Sequence, residues 1–137
     1  MRKRLWIIGL SFMLGMAACT HAADGASSKP VAPSRKIQIE DFDRLRVTTN
    51  HVVLDVRTPE EYRAGHVPHS VNLNVHDPDF AKQLKSLDPS KTYLVHCARG
   101  KRSALATDQM TQRGLTNVLD FTGGFELWQK SGKPVTK

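Results

Sequence analysis

The stretch Val95-His96-Cys97-Ala98-Arg99-Gly100-Lys101-Arg102-Ser103 brings a nucleophile, three cations and a glycine into one short segment. Tyr93 to His96 reads as a strand running into it, and Arg102 to Arg113 reads as a helix running out of it. The segment therefore joins the carboxyl end of a strand to the amino end of a helix. In open parallel sheets that is where ligands bind. Amides at a helix start point outward without partners, and the dipole there favours an anion. A glycine in such a loop lets backbone amides converge on one. Arg99, Lys101 and Arg102 lie within five residues of Cys97. Cations and a helix start both stabilise thiolate over thiol, and the thiolate is the nucleophile. The expectation is a reactive Cys97 beside an anion site, on an exposed loop one step beyond the apolar strand. His96 adjoins Cys97, but neighbours at a strand end point to opposite faces, so His96 is not read as its general base. His66 and His69 are three apart. No second cysteine, His-Glu-x-x-His or carboxylate cluster completes a site around them, so no metal and no cofactor is expected.

Elements must hold this loop in place, and they alternate along the chain. Ile37-Gln38-Ile39 reads as a short strand before a helical turn around Glu40–Leu45, and His51 to Val56 is a compact apolar strand. Thr58-Pro59-Glu60-Glu61 is a helix start, with Thr58 as cap, proline at the first helical position and a glutamate three residues after the cap. Gly65 ends that helix. Val71 to Leu73 is a further strand. Asp77 to Leu87 is read as a helix from Phe80, Leu84 and Leu87 at helical spacing. Val118-Leu119 is the last strand, and Gly123-Gly124 turns into a short helix whose Phe125 and Trp128 are expected in the core. Strands separated by helices predict an α/β fold: a small, open, mainly parallel sheet with helices on both faces.

At 137 residues, with two cysteines, the chain has room for one small domain and cannot be a disulfide scaffold. Twenty Lys and Arg face 13 Asp and Glu, a formal charge of +7, but Arg2, Lys3 and Arg4 sit in an amino-terminal leader. The remainder is mildly basic and carries no aromatic-interleaved basic stripe, which argues against nucleic acid as a partner. The leader has the form of a secretory signal: three cations, then an almost unbroken apolar run from Leu5 to Met16. It ends in Met16-Ala17-Ala18-Cys19, which resembles the bacterial lipobox, with Met16 where leucine is preferred. Residues 1–18 are thus expected to be a signal peptide, Cys19 a lipidated first residue, residues 19–36 a flexible linker and residues 37–137 the domain. The alternative is cleavage after Ala22, which gives a soluble periplasmic protein. Either outcome leaves Cys97 as the single free thiol in a compartment that oxidises thiols. The expected location is the cell envelope or periplasm, with the membrane contacted through the lipid anchor.

From Ile37 to Pro134 the chain resembles the rhodanese family, in its single-domain members. Val53-Leu54-Asp55-Val56-Arg57 with Glu60-Glu61-Tyr62-Arg63-Ala64-Gly65-His66-Val67-Pro68 is similar to the family's Asp-Val-Arg and Glu-Tyr-x-x-Gly-His-Ile-Pro segments. Cys97 to Ser103 resembles its active-site loop, and Gly123-Gly124-Phe125 with Trp128 its closing signature. His69-Ser70 departs from the usual Gly-Ala. The resemblance implies transfer of sulfane sulfur from a small anionic donor such as thiosulfate, through a Cys97 persulfide, to a thiophilic or protein-thiol acceptor. Ala98, Arg99, Gly100, Lys101 and Arg102 would bind the donor. Arg102 would face it with fixed geometry, while Arg99 and Lys101 would act through long-range charge. Asp55 and Arg57 would brace the site, and a monomer is expected. Two other readings share the fold. One is a non-catalytic binding module, although such modules commonly lack the cysteine. The other is a cysteine phosphatase or arsenate reductase, whose loop places arginine sixth after cysteine; here Arg102 is fifth and Ser103 sixth.

Overall fold

The computed structural model describes residues 33–137. The leader, Cys19 and nearly all of the expected linker lie outside the described residues. The elements in order are β1 (Arg35–Ile37), α1 (Ile39–Leu45), β2 (His51–Asp55), α2 (Pro59–Ala64), β3 (Val71–Asn72), α3 (Phe80–Gln83) with a 3-10 turn at Leu84–Ser86, β4 (Thr92–His96), α4 (Lys101–Gln112), β5 (Val118–Phe121) and α5 (Gly124–Lys130). The five strands form one sheet in the order β1-β5-β4-β2-β3, and every pairing is parallel.

Side-chain alternation along the strands divides the core in two. On one face Leu54, Val56, Tyr93 and Val95 pack with Phe80 and Leu84 and with Ala106 and Met110 of α4. On the other, Val53, Leu94, Leu119 and Phe121 pack with Phe42 of α1 and with Phe125 and Trp128 of α5. Phe42 stacks on Phe121 at 4.4 Å between centroids and meets Trp128 edge-on at 5.5 Å. The Trp128 indole N–H donates to the Pro134 carbonyl at 2.8 Å, so its one polar atom is satisfied. Helices therefore cover both faces of the sheet, as the strand–helix alternation predicts.

Two elements differ from the sequence reading. The strand expected at Ile37–Ile39 is instead Arg35–Ile37, with Gln38 at the cap position and Ile39 opening α1, so Arg35 and Lys36 belong to the sheet rather than to the linker; they pair with Leu119 and Asp120 of β5. An edge strand is held by backbone bonds, and two exposed basic side chains leave no apolar alternation to see. The helix expected from Asp77 starts only at Phe80 and is short. The Asp77 carboxylate accepts from the Asp79 N–H at 2.8 Å and the Asp77 carbonyl from the Phe80 N–H at 2.9 Å. This local turn competes with helix at the Asp-Pro-Asp run. His69, where the family motif has glycine, adopts φ 64°, the sole positive φ among the described non-glycine residues. The buried hydroxyl of Ser70 beside it has no hydrogen-bond partner.

Candidate active site

β2 and β4 are neighbours in the sheet, with Asp55 level with His96. The helices that follow them, α2 and α4, consequently begin side by side at the carboxyl edge. After His96 the chain turns sharply, and the Gly100 N–H donates to Cys97 Sγ at 3.1 Å. Gly100 has φ 90°, and a Cβ there would lie 2.5 Å from the Thr122 carbonyl oxygen. Only glycine fits both constraints. The first amides of α5 hold the loop from below: Phe125 N–H donates to the Cys97 carbonyl at 2.8 Å and Glu126 N–H to that of Ala98 at 3.1 Å. This approach needs Gly124, at φ 64°, where a Cβ would meet the Ala98 oxygen at 2.4 Å. Beneath the first turn of α4, the Ser103 hydroxyl lies 2.7 Å from an Asp120 carboxyl oxygen and 3.1 Å from the Gly100 carbonyl. Burial raises the Asp120 carboxyl above the usual carboxylate range, against the lowering effect of Ser103.

Cys97, Ala98, Arg99, Lys101 and Arg102 line one pocket of about 330 Å³. Gly100, the remaining loop residue expected at the site, contributes its amide to the sulfur. The expected exposure of Cys97 is corrected: the residue is 1% exposed and forms part of the pocket wall. The cause is the grip of α5 on its carbonyl, which draws the start of the loop down against the Thr122–Gly124 turn.

The cations divide differently from expectation. Arg102 has the fixed geometry foreseen, but a carboxylate fixes it. Its Nη1 donates to Glu61 Oε2 at 2.6 Å and its Nη2 to Glu61 Oε1 at 2.8 Å, a two-point fork. Hydrogen bonding to Arg102 drives the Glu61 carboxyl down to about 2, and Glu61 in turn pushes the guanidinium up. Glu61 also completes the helix cap expected of it. Its Oε2 accepts from the Thr58 N–H at 3.0 Å, and its own N–H donates to Thr58 Oγ1 at 3.3 Å. Arg99 lies 3.1 Å from Glu126 with its side chain 78% exposed. Lys101 is exposed and is the one pocket-lining cation without a carboxylate partner among the described residues.

Asp55 and Arg57 stand apart from the pocket lining. Arg57 Nη2 donates to Asp55 Oδ2 at 2.6 Å and to the Gly65 carbonyl at 2.8 Å, and its guanidinium lies 4.0 Å from the Phe125 ring centroid. The pair is buried and ties the end of β2 to the end of α2. Phe125 is also the residue whose amide holds the Cys97 carbonyl, so the clamp reaches the loop through one side chain. His96 points away from the sulfur, into the second core, edge-on to Phe42 at 5.7 Å. Its Nδ1 is 3.3 Å from the Cys97 carbonyl, and Nε2 has no hydrogen-bond partner. Burial lowers its pKa despite the opposing charge of Asp55 and so favours the neutral ring, which faces the wrong way to serve Sγ as a base. His66 stacks on Tyr62 at 3.8 Å.

Glu61 is the residue that sequence reasoning missed at the site. It carried the signal of a helix cap, and 41 residues separate it from Arg102. Only the adjacency of β2 and β4, which no spacing in the chain encodes, brings the two helix starts together.

Residues 38–131 match the family model of the rhodanese-like domain. The chain is similar to thiosulfate sulfurtransferase 16 of Arabidopsis thaliana, 37% identical over 94 residues and covering 61% of this chain and 78% of that protein. It is also similar to the thiosulfate sulfurtransferase GlpE of Pseudomonas syringae, 35% identical over 95 residues, with 69% and 87% covered. Among solved structures, a rhodanese-related protein from Thermoplasma volcanium superposes with a TM-score of 0.67 at 35% identity, over 74% of this chain and 97% of that one. The chain belongs to the rhodanese-like family and is a sulfurtransferase of the rhodanese type.

Proposed function

We propose that the enzyme moves sulfane sulfur from thiosulfate, or a donor of that form, to a thiophilic acceptor through a persulfide on Cys97. The carrying observation is Cys97 in the wall of a pocket whose other lining residues are Ala98, Arg99, Lys101 and Arg102, with the Gly100 amide on its sulfur. Cys97 Sγ, as thiolate, attacks the outer sulfur of thiosulfate. The sulfur–sulfur bond of the donor breaks, its electron pair leaves with sulfite, and Cys97 carries a terminal sulfur with one negative charge. An acceptor nucleophile, cyanide or a thiolate, then takes that terminal sulfur and returns Cys97 to thiolate. The Gly100 N–H and Arg102 stabilise negative charge on sulfur. Lys101 and Arg99, at the rim, attract the donor and stabilise departing sulfite. The pairs Arg102–Glu61 and Asp55–Arg57 keep the loop in shape.

Intact mass after incubation with thiosulfate alone should show one added sulfur atom, lost on addition of cyanide. Cys97→Ser should show no adduct and no turnover, a loss beyond about a thousandfold by analogy with removal of other covalent nucleophiles. An active Cys97→Ser protein would sink the mechanism. So would a wild type that hydrolyses aryl phosphates faster than it transfers sulfur.

The place of action proposed is the cell envelope, with the domain held by a lipidated Cys19 or freed by cleavage after Ala22. The leader sequence supports this reading. The mass and first residue of the mature chain exported from a bacterial host decide between the two forms.

A further inference from the structure

We propose that Glu61 sets the ligand selectivity of the Cys97 loop: by taking the end-on fork of Arg102 and compensating its charge, it weakens the contact that phosphate-like tetrahedral oxyanions need beside the sulfur. The inference deepens the reading of this loop as a sulfur-donor site and rests on it.

The two kinds of ligand place their oxygens differently. When a cysteine attacks phosphorus, the attacked atom itself carries the oxygens. They must sit deep in the loop, shared among backbone amides and the planar fork of a guanidinium. When a cysteine attacks the outer sulfur of a thiosulfonate-type donor, the oxygens are carried by the next atom out. They lie at the rim, in line with the bond that breaks. A site for the second ligand needs cations at its mouth and no uncompensated charge at its floor.

The structure has that distribution. Lys101 and Arg99 are the exposed cations of the pocket. Arg102 presents one N–H from each terminal nitrogen to Glu61, at 2.6 and 2.8 Å. Glu61 cannot swing away without a further loss, because the same Oε2 accepts the Thr58 N–H at 3.0 Å at the start of α2. The carboxylate is thus fixed from both ends. An oxyanion approaching Arg102 meets a cation already compensated, together with the negative charge that compensates it. The short loop, with Arg102 fifth after Cys97, works in the same direction, but it sets width, whereas Glu61 sets charge and donor direction.

The test is direct binding of inorganic phosphate to the full chain, followed by shifts of the loop amide resonances, for wild type, Glu61→Gln, Arg102→Ala and the double variant. Glutamine keeps an oxygen for the Thr58 N–H while releasing the charge from Arg102. Glu61→Gln should bind phosphate about tenfold tighter than wild type, the size of one released charge-assisted hydrogen bond. The gain should vanish when Arg102 is alanine. A merely structural role for Glu61 would weaken binding rather than strengthen it. No gain in Glu61→Gln overturns the proposal. A gain that persists without Arg102 also overturns it, since simple removal of a negative charge would then suffice. If circular dichroism shows Glu61→Gln unfolded, Glu61→Ala serves in its place, since it too removes the charge from Arg102, with the same expectations. Failure of the wild type to transfer sulfur from thiosulfate would instead sink the underlying reading, and phosphate titration reads independently of that assay.

Discussion

Two strand-to-helix junctions lie side by side at the carboxyl edge of the sheet, and they are finished in opposite ways. At the junction of β2 and α2 the helix start is closed. Thr58 and Glu61 cap each other's amides, Pro59 removes one donor, and Glu60 and Glu61 place negative charge in the first turn. At the junction of β4 and α4 the cap position is Gly100 in left-handed conformation, with no side-chain cap and no acid in the first turn of α4. The first junction satisfies its own backbone; the second leaves its helix start without a side-chain cap and Lys101 without a carboxylate partner among the described residues. A helix start that the chain does not cap for itself is a vacancy in hydrogen bonding, and here the vacancy holds a cysteine. The closed junction also serves the open one, since its capping glutamate reaches across to hold Arg102.

The largest expected effect comes from disturbing the turn that grips the open junction. Gly124→Ala, with φ 64° and a Cβ 2.4 Å from the Ala98 oxygen, should destabilise by about 3 kcal/mol or more, whereas Gly132→Ala, at φ 67° with open space, should cost about 1 kcal/mol. Thermal or urea unfolding of both variants measures the difference, and equal costs would mean that α5 does not brace the loop. Next in size is the bridge between the junctions. Arg102→Ala removes a charged donor beside Cys97 and leaves Glu61 unpaired next to it, so thiosulfate turnover should fall roughly ten- to hundredfold, one decade per 1.4 kcal/mol. Lys101→Ala should cost less, and its deficit should shrink as salt screens it. If the Lys101→Ala defect is the larger and ignores salt, Lys101 is a direct ligand.

A smaller effect is expected from acid. Glu61 titrates near 2 in the folded protein against 4.5 as its ordinary value. Its contribution is therefore complete above about pH 4.5 and disappears as pH falls from there toward 2. Because the Glu61 side chain is 35% exposed, solvent screening cuts the contribution to about 1 kcal/mol. The stability gap between wild type and Glu61→Gln should close over that window, and a gap independent of pH would show that the pair contributes nothing to stability. The smallest change lies away from both junctions. His69→Gly relieves a left-handed residue at φ 64° and, after glycine's larger loss of freedom on folding, should stabilise by about 0.5 kcal/mol without touching the loop. A lower melting temperature for His69→Gly would show that the imidazole makes up for its backbone.

The closed junction was readable residue by residue, because capping is local: Thr58, Pro59 and Glu61 fall within four positions and form the bonds their spacing implies. Alternating apolar runs likewise made the α/β class legible, and the chemistry of Cys97 to Ser103 was visible as a string of residue types. What escaped depends on distance or on backbone alone. Arg35 and Lys36 enter the sheet through hydrogen bonds that no side chain advertises. Asp77 and Asp79 favour their own turn over the helix that Phe80, Leu84 and Leu87 suggest. Cys97 is buried by amides donated from α5, more than twenty residues downstream. Glu61 meets Arg102 only because β2 and β4 pair.

The register of β1 has a practical consequence. Arg35 is level with Leu119, and Leu119 with Leu94, three residues short of Cys97 along the sheet. All strands run the same way, so β1, two strands over from β4, enters about 10 Å short of Cys97 along the strand direction, at 3.3 Å of rise per residue, and runs toward the edge that carries it. Anything attached ahead of Pro33, whether an affinity handle, a fluorophore or a solid support, joins the domain from behind the mouth of the Cys97 pocket. A domain immobilised by that end offers Cys97 to whatever flows past, and surface-based measurement of acceptor binding should be set up from the amino terminus.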